Sequence, residues 1–208
     1  MNSLPYFKTR GDTMTTRKIE ISKAWLDIFD APTDIRDIWK KKKEVNPRVT
    51  IEALIKKGKY SLASWVLVRA LSRRNKIKYA IFALDLTIKA FELKYNDDAG
   101  PKNALIRARE ALNLGTREAK EAAFAAGKNT YGHYAYIAYL AADYQDGFCY
   151  SDADISFDSE AIDEVIAYAV PYTAQEVAER EAKNVFLTYQ AQKELIYKKV
   201  IYFGLSLL

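Results

Sequence analysis

Apolar residues recur along this chain at intervals of three and four, the spacing of one face of an α-helix. Ile77, Ile81, Leu84, Ile88 and Phe91 step by 4, 3, 4 and 3, which predicts a helix over Ile77–Lys94 with one buried face. Ile21, Trp25 and Ile28 mark an earlier helix over Ile19–Phe29, stopped by Asp30-Ala31-Pro32. Thr33 or Asp34 caps the next, which carries Ile35, Ile38 and Trp39 into Lys40, Lys41, Lys42 and Lys43. Lysines in a last turn suit the negative end of the helix dipole. Asn46-Pro47 then reads as a break, Thr50 as the cap of a short helix over Ile51–Lys57, and Gly58 as its stop. Ser61 opens a helix through Leu71, after which Ser72-Arg73-Arg74-Asn75-Lys76 reads as a basic connector.

The second half continues in the same key. Pro101 is well placed as the first residue of a helix ending at Gly115. Thr116 caps an alanine-rich stretch that reaches Tyr144, as one helix or as two divided near Gly127 and Gly132. Its Ala135, Ala138 and Ala142 form a stripe of small side chains, which favours close helix approach. Flanking Tyr131, Tyr134, Tyr136, Tyr139 and Tyr144 fill the rim with rings whose hydroxyls stay near water. Asp143–Glu164 holds eight acids and no base, and 143–156 reads as an irregular acidic connection. A helix over Ser159–Ala169 is closed by Pro171. Thr173-Ala174-Gln175-Glu176 matches a capping box and predicts a last helix of roughly 30 residues, about 45 Å long.

Strand-like alternation and internal repeats are absent, so the expected fold is all-α, a multi-helix bundle of about seven to eight helices with a long C-terminal helix. Residues 1–17 read as a flexible N-terminal leader in which Met14 offers a second start, and 18–208 as a single all-α domain ending in a helical part over 157–208. No stretch approaches the roughly 18 uninterrupted apolar residues of a membrane span, which points to a cytoplasmic location.

Composition removes most catalytic options. With half of 208 residues apolar and 28% charged, the balance is that of an ordinary globular protein. A single cysteine, Cys149, excludes an internal disulfide and multi-cysteine metal sites, and a single histidine, His133, excludes two-histidine motifs. No motif supplies His133 with an orienting partner, so it reads as structural, and Cys149 as a small buried hydrophobe. Asp152-Ala153-Asp154-Ile155-Ser156-Phe157-Asp158 has oxygen ligands at alternate positions of a calcium loop. Phe157 stands where that loop needs glycine, however, and Asp163 where it needs glutamate, so a capped acidic segment is the better account. No phosphate-cradling glycine loop or serine elbow occurs. The expectation is a protein without catalytic residues, cofactor or metal.

Charge changes the picture along the chain. Residues 1–78 hold 19 bases and 8 acids, a net +11, whereas residues 151–208 hold 5 and 10, a net −5. Either the two regions make a polar molecule or they attract each other inside the fold. Trp39, Lys40–Lys43, Arg73 and Arg74 are the candidate partner contacts, as an aromatic and cationic surface.

Residues 60–145 resemble a known family. Leu62-Ala63-Ser64-Trp65-Val66-Leu67-Val68-Arg69 is followed by an apolar helix ending Phe91-Glu92-Leu93-Lys94-Tyr95, by Asn96-Asp97-Asp98-Ala99-Gly100-Pro101, and by the alanine-rich helix. This series resembles the immunity proteins associated with bacterial polymorphic toxins, small helical proteins also encountered in phage genomes. In that family an arginine usually stands between the Asp and the Pro, where this chain has Gly100. The resemblance implies a helical fold and a role in binding another protein. It singles out Trp65, Arg69, Asp97, Asp98 and Pro101 as a framework motif; read physically, Asp97 or Asp98 can cap the helix at Pro101 and Arg69 can pair with one of them.

Two functions follow as expectations. The first is a non-enzymatic, immunity- or inhibitor-like module that covers the functional surface of a partner protein, a toxin or host factor. The second is a small basic nucleic-acid-associated protein, phage-encoded in the alternative reading. The C-terminal helix is also a candidate for pairing with a second copy of the chain.

Overall fold

Caps and short loops divide the chain into helices and nothing else among the described residues, which are 19–42, 46–95, 98–145, 152–181 and 185–208 of a computed structural model. The ten helices are α1 (Lys23–Ile28), α2 (Thr33–Lys42), α3 (Pro47–Lys56), α4 (Tyr60–Ala70), α5 (Arg73–Lys94), α6 (Gly100–Leu114), α7 (Arg117–Lys128), α8 (Gly132–Asp143), α9 (Asp152–Glu181) and α10 (Val185–Leu205). The all-α bundle with a long final helix is therefore what the chain forms.

Several boundaries differ from expectation, each for a local reason. Asn46 is a cap rather than a break: its side-chain oxygen accepts the Arg48 N–H at 3.0 Å, and Pro47 sits in the first turn, where its missing N–H costs nothing. Ser72–Lys76 is not a connector. Ser72 accepts the Asn75 N–H at 3.4 Å and α5 starts at Arg73. The cations that would oppose a helix N-terminus are each engaged elsewhere, as described below. The alanine-rich stretch is two helices, parted at Asn129–Tyr131.

The largest correction concerns Pro171 and Thr173. α9 runs through both, so the predicted stop and the predicted capping box lie inside one 30-residue helix. Ile162, Val165, Ile166, Ala169, Val170, Ala174 and Ala178 are all buried at helical spacing on either side of the proline. Burying such a stripe outweighs the roughly 3 kcal/mol that proline costs a helix interior. Thr173 Oγ1 caps nothing and donates back to the Ala169 carbonyl at 2.8 Å. The acidic connection is accordingly shorter than expected, since α9 is helical from Asp152, which also rules out a calcium loop over 152–158. Cys149 and residues 1–17 lie outside the described residues.

One core draws on all ten helices, from Trp25 of α1 through Ile35, Ile51, Val66, Leu84, Ala104, Ala123, Ile137 and Val165 to Val200 of α10. Helices α6, α7 and α8 pack on one another through buried Ala104, Ala108, Ala111, Ala123, Ala138 and Ala141. A Cβ on Gly127 would come within 2.7 Å of the Tyr139 ring, so glycine is what admits α8 here. α9 packs along both α5 and α10, and α10 lies over α4 and α5. At that crossing Gly204 meets Leu67 and Tyr79, whose Cε2 would be 2.8 Å from an added Cβ. No described helix is long and apolar enough to cross a membrane.

Candidate docking surface

The residues singled out from the sequence do not gather on one surface. Trp39 is half-buried and its Nε1 donates to the Ile21 carbonyl at 2.9 Å. Lys40 and Lys41 point outward from α2; the Lys42 side chain and Lys43 lie outside the described residues. Arg74 donates to the Leu112 carbonyl at 2.7 Å, tying α5 to α6. Arg73 sits between two acids, 2.6 Å from Asp158 and 3.1 Å from Asp143.

The motif residues are internal as well. The Trp65 ring meets Trp25 edge-on at 5.8 Å, and the Arg69 guanidinium lies 4.0 Å from the Trp65 ring centre. Arg69 pairs with Asp163 of α9 and not with Asp98. Asp98 instead accepts the Gly100 N–H at 2.9 Å, and Pro101 is buried in the first turn of α6. Asp97 lies outside the described residues. His133 packs against Tyr168 at 4.8 Å, and burial lowers its pKa against the opposing pull of Glu164.

Together these contacts form a polar seam between α4–α5 and α9. Arg69 meets Asp163, Arg73 meets Asp158, and the Lys76 ammonium, 2% exposed as a residue, donates to Ser159 Oγ at 2.6 Å. Burial brings the Lys76 pKa down to about 8, while Asp158 and Asp163 resist the fall. Burial also raises the Asp163 carboxyl above its usual range, with Arg69 pulling it back. Buried charges persist only when paired. Here bases of the first third meet acids of the last third inside the molecule, so part of the charge gradient is spent on internal attraction.

A different region is left open to solvent. Tyr60, the first residue of α4, stacks on Tyr197 with ring centres 6.1 Å apart and donates its hydroxyl hydrogen to Glu194 at 2.7 Å. Seven residues further along α4, Leu67 meets Gly204. The two helices therefore run parallel, and nine residues of α10, 185–193, precede Glu194, the residue that the Tyr60 hydroxyl reaches. That overhang is about 13 Å at helical rise. Leu187, Gln190, Glu194, Tyr197, Ile201 and Gly204 share one face at 3 and 4 spacing. Ile201 and Gly204 are buried, whereas Leu187, Gln190 and Glu194 stand exposed.

Under the overhang lies an open cleft of about 470 Å3 lined by Gly58, Tyr60, Ser61, Gln190, Lys193 and Tyr197, among others. Glu194 is the single acid in its lining among the described residues and is already engaged, accepting from Tyr60 and from Lys198 Nζ at 2.6 Å. Those two donors hold its carboxyl below the ordinary glutamate range. Lys56 and Lys57 stand exposed in the turn that leads to Gly58, and neither they nor Lys193 has an ion-pair partner among the described residues. Val185, Phe186 and Leu187 continue the surface at 46%, 68% and 65% exposure.

Sequence reading missed this surface. The basic turn Lys56-Lys57-Gly58-Lys59 was visible, but nothing in the sequence marked which end of α4 would lie beside which turn of α10. Chemically the cleft offers aromatic edges, the Lys193 ammonium with Lys56 and Lys57 exposed nearby in the chain, and apolar residues further along α10. No group of three or more His, Cys, Asp or Glu residues arranged to hold a metal occurs among the described residues. Compared with known proteins, the chain matches no family model, no curated protein and no solved structure.

Proposed function

We propose that this protein is a non-enzymatic binding module, immunity- or inhibitor-like, that covers a functional surface of another protein from the open face of α10. The observation that carries the reading is the overhang: a helix face that buries Ile201 and Gly204 against the bundle continues into a cleft where its side chains meet solvent. Soluble proteins rarely leave grouped Phe, Leu and Tyr side chains uncovered without a partner for them. The resemblance of residues 60–145 to toxin immunity proteins agrees with this role, and the cytoplasm is the compartment such a partner would share.

The nucleic-acid alternative loses support from its own residues, because Arg73 and Arg74 are held by Asp158, Asp143 and the Leu112 carbonyl. A homodimer through α10 would occupy the same face as a partner protein.

A photo-crosslinking amino acid at Gln190, in cells producing the full chain, tests the reading. The expected result is one adduct to a single other protein, lost on Phe186→Asp together with Leu187→Asp. An adduct at twice the mass of the chain would assign the face to a dimer, and no adduct would overturn the proposal. Neighbouring genes supply the first partner to try, since a toxin encoded next door would be captured in the same experiment.

A further inference from the structure

The cleft beneath the overhang also states the chemistry of what it receives. Lys193 lines it from the α10 side, and Lys56 and Lys57 stand exposed two and one residues before its lining residue Gly58. Against these three cations the lining contributes one carboxylate among the described residues, Glu194, whose charge is already shared between the Tyr60 hydroxyl and Lys198. Lys59 is the one cation of the turn that is neutralised elsewhere, by Asp34 at 2.7 Å. The α10 face that lines it is the one whose later turns, at Tyr197 and Gly204, pack on α4 at Tyr60 and Leu67.

We infer that this cleft binds an acidic amphipathic helix of a partner protein, seated as a continuation of α4, with apolar side chains against Tyr197 and Leu187 and carboxylates reaching Lys56, Lys57 and Lys193. This rests on the docking reading above and adds the identity of the recognised surface. A helix laid in a groove uses apolar anchors at i, i+3 or i+4, and i+7, and about nine residues fit the overhang. A single-stranded nucleic acid is the poorer occupant. Tyr60 and Tyr197 stack on each other and not outward, the Glu194 carboxylate would face the phosphates, and Phe186 and Leu187 flank the slot.

Selection of a displayed library of random 16-residue peptides against the full-length protein tests the inference. Enriched peptides should carry several Asp or Glu residues among apolar residues at helical spacing and become helical on binding. Lys56→Glu, Lys57→Glu and Lys193→Glu together should weaken the best peptide at least about tenfold, and binding should weaken steeply between 50 and 300 mM salt as charge pairs are screened. Gln190→Trp, which plugs the cleft from an exposed position, should abolish binding, with unchanged circular dichroism showing that each variant is folded. Peptides blocked by Gln190→Trp but indifferent to the lysine reversal would overturn the acidic-helix inference and leave the docking surface standing. Binding untouched by the plug, or no enrichment at all, would remove both. A fluorescent 15-mer of deoxythymidine that binds at 50 mM salt and displaces the peptide would transfer the cleft to nucleic acid.

Discussion

At Gly204 a single hydrogen atom decides how closely α10 lies on α4 and α5. An alanine there would drive its methyl group into Leu67 and the Tyr79 ring, both of which are fully buried and cannot swing aside. Gly204→Ala should therefore lower stability by about 1–3 kcal/mol, measured by urea unfolding, despite alanine's better helix propensity. Lys76 gives a second residue-scale test. Its pKa is about 8 in the folded protein and 10.5 as the ordinary value, so above pH 8 the unfolded chain holds the extra proton. Stability should thus rise as pH climbs from 7 to 9.5, by on the order of 1–2 kcal/mol, and this rise should vanish in Lys76→Met. Arg69, Arg73, Asp158 and Asp163 are the charged groups that surround the Lys76 ammonium. A stability that falls over that range in the wild type would contradict the buried ammonium.

At the scale of single helices, the apolar periodicity located nearly every element, because 3.6-residue spacing is a property of the helix itself. Caps that are closed by the chain's own neighbours were legible too, as at Thr116, which accepts the Ala119 N–H at 3.3 Å. What misled was punctuation whose meaning depends on tertiary burial. Pro171 and the Thr173 capping box look like a boundary, yet the buried stripe from Ile162 to Ala178 runs straight across them. Ser72–Lys76 looks like a loop until Asp158, Ser159 and the Leu112 carbonyl take up its cations. Continuity of α9 has a simple check. Pro171→Ala should leave the far-ultraviolet helical signal unchanged, because no break exists there to be healed. A clear gain in helicity would show two helices instead of one.

For the whole molecule, the charge gradient was plain in the sequence but its destination was not. Net charges per third say nothing about which Lys meets which Asp, and only the packing of α9 against α5 brings Arg73 to Asp158. Trp39, Arg73 and Arg74 are engaged by Ile21, Asp158 and Leu112, while other open cationic groups stand on the turn before α4 and on α10. The open cleft beside α10 was equally hidden, since its two walls are more than 100 residues apart in the chain. Lys40 and Lys41 remain outward-facing and away from any described ion pair. Reversing both to Glu should change unfolding free energy by less than about 0.5 kcal/mol. Binding to a 30-base-pair duplex at 50 mM salt, if it occurs in the wild type and disappears in that variant, would revive the nucleic-acid reading.

The C-terminal turn is stitched to much earlier residues: Arg48 donates to the Leu205 carbonyl at 2.5 Å and Asn75 to that of Leu207 at 2.8 Å. During synthesis, then, Leu67 and Tyr79 emerge from the ribosome long before the segment that will shield them exists. The nascent polypeptide must carry a greasy, unfinished interior through most of its translation, and contacts this remote in sequence close last. Chaperones that hold emerging chains would find their substrate in the residues before α10, and release would await the emergence of that helix.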